Sequence, residues 1–329
     1  MKISVAMASY NGEEFIERQL ETIRDQTRMV DEVIISDDAS KDNTVGIIKE
    51  FITENGLNWK LLTNEGDHGV KSNFYNALAN TQGDIVVLCD QDDVWEKDKI
   101  ESIEKAFEQK KDILSLNSSF CYIDEKENLI STKLKGNKAN NNLIPQKLVE
   151  GKFNKIPFQF VINKNISPGM TMAVSRKIVD IYLKYSNRSF LHDHELNCIA
   201  AMFGGLYFYD EKLVKYRIHE NQTVSISNIH KTRLKDKFLK KMDEVISFVP
   251  AQQRFLDEMA KIVPLPPKKN IDVLKDVVEY NEIRNEVING NSGKWLKEIA
   301  KAVECKKKGI YIDLRYCLID FAASIWKEH

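Results

Sequence analysis

Short hydrophobic runs alternate with amphipathic stretches through the first half of the chain. Ile3–Ala8 is an apolar run typical of a buried strand, and in the following stretch 13–26 the apolar residues recur at helical spacing. The same alternation of strand and helix patterns continues at 32–36, 44–54, 59–63, 72–80, 84–88, 97–109 and 113–123. Strands separated by helices of this length predict βαβ units, and so an α/β fold with a mostly parallel sheet flanked by helices.

The pattern changes twice further along the chain. Residues 124–165 are rich in Asn and Lys and predict a long loop over the sheet edge. Strand patterns then return at 169–174, 206–209 and 212–217, and helix patterns at 176–185 and 194–203. After about Ser227, Lys, Glu, Leu and Ile recur at helical spacing. We therefore predict an α/β domain over residues 1–227 and a helical extension over residues 228–329.

Composition narrows the class of protein. The chain has 48 Lys+Arg against 49 Asp+Glu, and this balance argues against a nucleic-acid-binding protein. Five scattered cysteines form no CxxC pair, which indicates reduced thiols in the cytoplasm. The longest run without a charged residue is 196–209, shorter than the roughly 18–20 residues of a membrane span. We expect a cytoplasmic protein, either soluble or peripheral on the inner face of the membrane.

Polar residues follow the first two predicted strands. Ligands of open α/β sheets bind beyond the carboxyl ends of the strands, so these residues are the first candidates for a site. Tyr10 follows the first strand and can stack on a base, whereas an ordinary turn with Ser9 or Asn11 as helix cap is the alternative. Asp37 and Asp38 follow the second strand, and adjacent carboxylates repel each other unless a donor lies between them.

A denser acidic cluster follows the buried run at 84–88. Asp90, Asp92 and Asp93 place three carboxylates within four residues, which is unfavourable without a cation. Helix capping accounts for one of them at most. Oxygen ligands suit Mg²⁺ or Mn²⁺, with phosphate oxygens completing the coordination shell.

A fourth cluster opens a later helix. Asp193 lies between His192 and His194, and His219 follows further on. Asp193 is a candidate general base or a metal ligand. Zinc bound by the three neighbours alone is disfavoured, because adjacent helical positions point in different directions.

The order of these motifs resembles the family 2 glycosyltransferases, which have the GT-A fold. SYNG, SDDASKDNT and CDQDD carry the resemblance, and the later HDHEL and YRIHENQTVS are similar to rhamnosyltransferase-like members. The resemblance spans about residues 1–225. It implies an inverting, metal-dependent transfer of a sugar from a nucleotide donor to a saccharide or lipid-linked saccharide. L-rhamnose from dTDP-rhamnose is the first expectation and a UDP-hexose the second, with bacterial surface polysaccharide as the product.

The resemblance also implies roles on the donor side. Ser9 and Tyr10 match the nucleotide-binding turn, with Tyr10 against the base. Asp37 matches the carboxylate that accepts from the pyrimidine N–H, and Lys71 lies where the family often has a residue near the phosphates or base. Asp90 matches the first acid of the DxD motif and is expected to contact the ribose or the ion.

Further roles concern the metal and the acceptor. Asp92 is expected to ligate Mg²⁺ or Mn²⁺, and His219 matches a further metal or diphosphate contact. Asp193 matches the catalytic base. The sequence departs from the family pattern at His192, where many members have Glu, and at His194, where rhamnosyltransferase-like members often have an aromatic residue.

Other classes of function fit less well. A nucleotidylyltransferase needs a Gly-rich basic loop near its N-terminus, and a dinucleotide dehydrogenase needs GxGxxG after the first strand, and neither motif occurs. A catalytically inactive sugar-nucleotide-binding scaffold would not need to retain the costly carboxylates.

The helical extension leaves two questions open. Its stretch 231–241 has six basic residues and one acid, and predicts either an anionic membrane contact or a helix packed on the protein. The apolar face of 311–326 predicts burial against a partner subunit, the catalytic domain or lipid.

Overall fold

The computed structural model describes residues 1–131, 144, 148–149, 151–219 and 234–327. The chain separates into two compact units. The sheet unit comprises Met1–Ile156, Asn165–Lys184 and Leu191–Ser225, and the helical unit comprises Pro157–Lys164, Tyr185–Phe190 and Ile226–His329. The boundary that the sequence predicts between residues 227 and 228 lies outside the described residues.

The sheet unit is built on one mixed sheet. Within the described residues ten strands form it, in the order β3-β2-β1-β4-β9-β6-β10-β5, with β7 beside β6 and β8 beside β10. The strands are β1 (Ile3–Ser9), β2 (Glu32–Asp37), β3 (Lys60–Thr63), β4 (Ile85–Cys89), β5 (Val94–Trp95), β6 (Ser115–Ile123), β7 (Leu129–Ile130), β8 (Phe153–Lys155), β9 (Met172–Ser175) and β10 (Leu206–Arg217). The helices of this unit are α1 (Ile16–Arg24), α2 (Thr44–Glu54), α3 (Val70–Ala79), α4 (Lys99–Gln109), α6 (Arg176–Tyr185) and α7 (His192–Met202).

One half of the sheet is parallel, as the alternating pattern predicts. β1 pairs in parallel with β2 and β4, and β2 pairs in parallel with β3. Every residue of β4 is buried, and Val and Ile dominate it, as expected of a strand covered on both faces. Ser9 lies opposite Asp37 at the ends of β1 and β2, so the polar residues after these strands share one edge.

The other half contains the antiparallel pairings and the departures from the sequence pattern. β9 runs antiparallel between β4 and β6. The stretch predicted as a long loop contains β7, β8 and the helical turn α5 (Phe158–Val161). The predicted strand pair at 206–217 is one strand, since its polar middle is a bulge beside β6. α7 begins at His192, two residues before its predicted start, which brings Asp193 into its first turn.

The helical unit contains α5 and four longer helices. These are α8 (Leu234–Ala260), α9 (Lys268–Ile288), α10 (Trp295–Lys307) and α11 (Arg315–Lys327). Ile319 and Ala323 of α11 pack with Val249 and Ile288, so part of the apolar face predicted at 311–326 is buried within this unit. No described helix is both long and apolar enough to span a membrane. The basic side chains predicted at 231–241 lie outside the described residues.

Candidate functional site

The first two strands end in a closed hydrogen-bond network. Ser9 Oγ donates to Asp37 Oδ2 over 2.8 Å, and both residues are buried. Asp37 also accepts from the backbone N–H of Ser40 at 2.8 Å and from its hydroxyl at 2.7 Å. Three protein donors therefore hold the Asp37 carboxylate, and a base N–H would have to share its oxygens with them.

Tyr10 extends from this edge and is 52% exposed. Its backbone N–H donates to Gln91 Oε1 at 2.8 Å, and Gln91 Nε2 donates to the Tyr10 carbonyl at 2.9 Å. A Cβ on Gly12 would lie 2.3 Å from Gln91 Oε1, so a larger residue there would displace the Gln91 amide. Gln91 thus joins the turn after β1 to the acidic loop, Asp90–Asp93. Nothing in the sequence pattern singles out Gln91 for this role.

Asp38 organises the segment that leads into α3. It is 7% exposed and accepts from Asn64 Nδ2 and from the backbone N–H of Gly69, each at 2.7 Å. His68 Nδ1 lies 3.1 Å from Asp38 Oδ1, and the imidazole is largely exposed. Lys71 is the second residue of α3 and so lies in its first turn, directly after this segment.

The carboxyl groups of the acidic loop lie in surroundings that disfavour their ionisation. Burial, followed by the nearby carboxylates of Asp92 and Asp193, raises the pKa of Asp90 to about 7. Burial and the same loop's carboxylates also raise the pKa of Asp93, and Asp93 Oδ2 is buried without a hydrogen-bond partner in the described part of the chain. The Asp193 carboxylate contributes to the raised pKa of Asp90 although the two residues are about 100 positions apart in the sequence.

Arg217 supports the loop from below and was not singled out by the sequence. It is 2% exposed, and its guanidinium donates to the carbonyl of Asp92 at 2.8 Å and to that of Glu125 at 3.0 Å. Its backbone N–H donates to Asp93 Oδ1 at 3.1 Å. Arg217 lies two positions before His219, and residues two positions apart in an extended chain lie on the same face. This spacing was the sequence signal that could have placed Arg217 beside the site.

Asp92 and His219, the two expected metal ligands, are in direct contact. His219 Nε2 lies 2.9 Å from Asp92 Oδ2, and the imidazole packs against the ring of Phe15 with centroids 4.9 Å apart. The described residues contain no group of three or more His, Cys, Asp or Glu side chains arranged to hold a metal. The Asp92 carboxylate is an oxygen ligand of the kind that Mg²⁺ and Mn²⁺ prefer, with substrate phosphate oxygens and water as further ligands, whereas imidazole is more typical of transition metals such as Zn²⁺ and Fe²⁺.

Asp193 lies in the first turn of α7 and is 6% exposed. Burial raises its pKa to about 6, against the opposing effect of hydrogen bonds from Asn165 Nδ2 at 2.8 Å and from the His194 backbone N–H at 2.7 Å. A carboxylate with this pKa can accept a proton near neutral pH. Asn165 falls at the end of the stretch predicted as a loop, which is why the sequence did not reveal it as a partner.

His192 precedes Asp193 and is enclosed. Its ring stacks on Phe74 with centroids 3.8 Å apart, and burial lowers its pKa to about 3. Neither ring nitrogen has a hydrogen-bond partner among the described residues. A Cβ on Gly169 would lie 2.8 Å from Nε2, so the imidazole rests directly on the turn Gly169–Thr171. This neutral, packed ring does not have the character of a zinc ligand.

Two groups of the predicted site residues are therefore joined by contacts or by electrostatic influence. Ser9 bonds to Asp37 at the ends of β1 and β2. The other group consists of the loop and helix residues Asp90, Asp92, Asp193 and His219. Tyr10 is linked to the acidic loop through Gln91. The sheet unit therefore contains an exposed aromatic ring at Tyr10, the contact of Asp92 with His219, and the buried carboxyl of Asp193 with its raised pKa.

The chain resembles sugar transferases in sequence. Residues 4–170 match the glycosyl transferase family 2 model. The dTDP-rhamnosyl transferase RfbG of Shigella flexneri is 29% identical over 241 residues, which cover 70% of this chain and 77% of that protein. The UDP-Glc:alpha-D-GlcNAc-diphosphoundecaprenol beta-1,3-glucosyltransferase WfgD of Escherichia coli is 33% identical over 120 residues, 36% of this chain and 44% of that protein.

Solved structures agree on the fold. S. aureus TarS 1-349 in complex with UDP-GlcNAc superposes with a TM-score of 0.61 at 16% identity, covering 98% of this chain and 89% of that one. The mannosyltransferase PcManGT from Pyrobaculum calidifontis, in complex with GDP-Man and Mn²⁺, gives a TM-score of 0.51 at 14% identity, covering 100% and 88%. The predicted GT-A-type fold and the predicted family are both confirmed, and the chain belongs to glycosyl transferase family 2.

Proposed function

We propose that this glycosyltransferase moves a sugar from a nucleotide donor to an acceptor hydroxyl, with inversion at the anomeric carbon and with a divalent cation. The observation that carries the proposal is the contact of Asp92 with His219 at 2.9 Å, in a loop where the carboxylate of Asp193 helps to raise the pKa of Asp90. A leaving diphosphate needs positive charge and an attacking hydroxyl needs a base, and in a displacement with inversion the two act on opposite sides of the anomeric carbon.

On the donor side, the exposed ring of Tyr10 is proposed to stack on the base, beside the buried pair of Ser9 and Asp37. Asp37 is proposed to accept from the pyrimidine N–H. Lys71 in the first turn of α3 is proposed to contact the phosphates or base, and Asp90 the ribose or the ion. The supporting fact is that hydrogen bonds connect the turn after β1 to Asp37 and to the acidic loop, and such preorganisation lowers the entropic cost of binding.

Asp92 and His219 are proposed to hold Mg²⁺ or Mn²⁺. The cation supplies charge neutralisation of the departing diphosphate when it is bound there. Arg217 keeps Asp92 in place by donating to its carbonyl oxygen.

Asp193 is proposed to accept the proton of the acceptor hydroxyl as that oxygen attacks the anomeric carbon. Its raised pKa, together with the hydrogen bond from Asn165, gives a base that is ionised near neutral pH and fixed in direction. The oxygen–carbon bond of the product forms as the bond to the diphosphate breaks, and the proton remains on Asp193.

L-rhamnose from dTDP-rhamnose is the proposed first donor, supported by the similarity to the dTDP-rhamnosyl transferase RfbG over most of both chains. A UDP-hexose is the second candidate, since the name of the similar WfgD specifies UDP-Glc. That name also specifies a diphosphoundecaprenol acceptor. A saccharide or lipid-linked saccharide acceptor, in surface polysaccharide synthesis, is proposed on this ground.

We further propose that the protein is cytoplasmic and that its helical unit contacts the inner face of the membrane. A lipid-linked acceptor would be held in that membrane. Leu318 and Ile325 are 60% and 40% exposed on α11 and are candidates for that contact, or for contact with a second copy of the chain. Flotation with anionic liposomes tests the membrane contact, and no binding at low salt would end it.

The donor assignment is tested by thermal shift with Mn²⁺ and dTDP, UDP or GDP in turn. We expect the largest rise in Tm with dTDP and a smaller one with UDP. Release of dTDP from dTDP-rhamnose in the presence of a saccharide acceptor then tests turnover. A nucleotide-induced shift without turnover of any donor would favour the inactive scaffold, and no shift with any nucleotide would contradict the proposed function.

A further inference from the structure

A lysine is buried beneath the site, and none of the proposed chemistry uses it. Lys99 is the first residue of α4 and is 0% exposed. Lysines are almost never fully buried unless they are paired, and a cation at the N-terminus of a helix opposes the helix dipole. Neither burial nor position is explained by helix stability, so the residue requires another reason.

The ammonium group of Lys99 has two well-defined contacts. Nζ donates to the carbonyl oxygen of Met170 over 2.7 Å and lies 3.9 Å from the centroid of the Trp95 ring. The carboxylates of Asp90 and Asp93 attract it as well, although burial dominates and lowers the Lys99 pKa to about 7. The side chain therefore connects the region of the acidic loop to the Gly169–Thr171 turn.

The same turn is held from a second side. The imidazole of His192 rests on Gly169, closely enough that a Cβ there would lie 2.8 Å from Nε2. Movement of the imidazole away from Gly169 would disrupt its stacking on Phe74. Because His192 precedes Asp193 on α7, the turn bridges the surroundings of the acidic loop and the helix that carries the proposed base.

We propose that Lys99 is a positioning residue, which fixes the Gly169–Thr171 turn and through it the placement of Asp193 relative to the acidic loop. This role rests on the proposed function. Loss of the ammonium leaves the Met170 carbonyl without its buried donor, which favours a shift of the turn. The contact of Ser9 with Asp37 lies on β1 and β2 and remains, so we expect nucleotide affinity to change much less than turnover.

The experiment compares the full-length protein with Lys99→Met, which keeps the length of the side chain and removes its charge. We expect kcat for sugar transfer to fall about 10-fold or more, since small displacements of reacting groups cost up to about 10²-fold. The donor KM, and the Kd of dTDP with Mn²⁺ by calorimetry, should stay within about 2-fold. Lys99→Arg, which keeps a cationic donor, should recover part of the lost kcat.

Lys105→Met is the matched control on the same helix, where the side chain is exposed and pairs with Glu101. It should leave kcat, KM and Kd unchanged. A merely structural role for Lys99 would lower Tm and reduce binding and turnover in proportion. That outcome, or wild-type kcat in Lys99→Met, would overturn the proposal.

Gly169→Ala decides the question if Lys99→Met fails to fold. The added methyl pushes the turn away from His192, and the proposal predicts the same loss of kcat with nucleotide Kd retained. Wild-type kcat in Gly169→Ala would contradict the proposal. Absence of nucleotide binding and turnover in the wild-type protein itself would instead refute the proposed function, and this role with it.

Discussion

The two halves of the site are built differently. At the ends of β1 and β2, Ser9, Asp37 and Asp38 are enclosed in hydrogen bonds with donors from neighbouring loops. Around the Gly169–Thr171 turn, by contrast, His192 has no hydrogen-bond partner for either ring nitrogen in the described chain, and Asp193 is buried with a raised pKa.

From this difference we infer that the residues at the ends of β1 and β2 serve nucleotide binding, and that the residues around the Gly169–Thr171 turn serve catalysis. A satisfied network costs little to maintain and provides a preorganised surface for a nucleotide. Buried ionisable groups cost stability, and such costs gather where a group must change its protonation state during a reaction. Changes in the first half should therefore affect affinity, and changes in the second half should affect turnover.

The largest effect is expected from Asp193→Asn. Removal of a general base typically costs about 10²–10⁴-fold in rate, whereas nucleotide affinity should remain within about 2-fold. Transfer kinetics and calorimetry with dTDP and Mn²⁺ measure the two quantities on the same preparation. Asp180→Asn, an exposed acid on α6, is the control and should behave as wild type. Transfer at the wild-type rate by Asp193→Asn would show that another group is the base.

The next largest effect is expected at Asp92 and His219, the two proposed metal ligands. Asp92→Asn and His219→Ala should each weaken Mn²⁺ binding about 10-fold or more and lower turnover in subsaturating Mn²⁺, since each removes one of the two proposed protein ligands. Turnover measured against Mn²⁺ concentration should move to higher concentration in both variants. Asp84→Asn, at the opposite end of β4, is the control. An unchanged Mn²⁺ dependence in both variants would remove the pair from the metal site.

A smaller effect is expected from Asp37→Asn. The substitution disturbs the hydrogen bonds from Ser9 and Ser40, so we expect unfolding to become easier by about 1–3 kcal/mol. Affinity for dTDP should fall about 10-fold, while kcat at saturating donor should change little. Urea unfolding and calorimetry give the two values. An affinity loss confined to Asp38→Asn would move the proposed base contact to the neighbouring carboxylate.

The smallest expected effect is the contribution of Asp193 to the pH dependence of stability. The folded-state pKa of Asp193, about 6, lies above the ordinary value of 3.8, so the folded protein retains a proton that the unfolded chain releases. Ionised Asp193 therefore costs stability, and the cost develops between about pH 4 and 6 and is complete above pH 6. Asp193→Asn should have a Tm a few degrees above wild type at pH 8 and a similar Tm at pH 4. A lower Tm for the variant at pH 8 would contradict the burial argument.

Much of the fold and part of the site followed from the sequence. The alternation of buried runs with amphipathic helices predicted the parallel half, because strand and helix periods differ clearly there. The carboxylates of the acidic loop were identifiable because burial makes clustered acids costly. The electrostatic influence of Asp193 on Asp90, about 100 positions away in the sequence, depends on the tertiary fold, although the resemblance to the family had implied a role for each residue.

Other contacts had no local signal. From the sequence, Lys99 is expected to be an exposed residue of a helix. Its burial is evident only from its contacts with Trp95 and Met170 in the structure. Asn165 lay in a polar stretch without periodicity. The single strand β10 was predicted as two because its bulge interrupts the apolar pattern with charged residues.

The pH dependence of transfer by the wild-type protein, measured at saturating donor and cation, tests the central claim most directly. If Asp193 is the base, kcat should be constant above about pH 6 and fall about tenfold for each unit below it, and the small residual rate of Asp193→Asn should lack this step. A wild-type rate that is constant from pH 5 to 8, or an identical step in Asp193→Asn, would contradict the account.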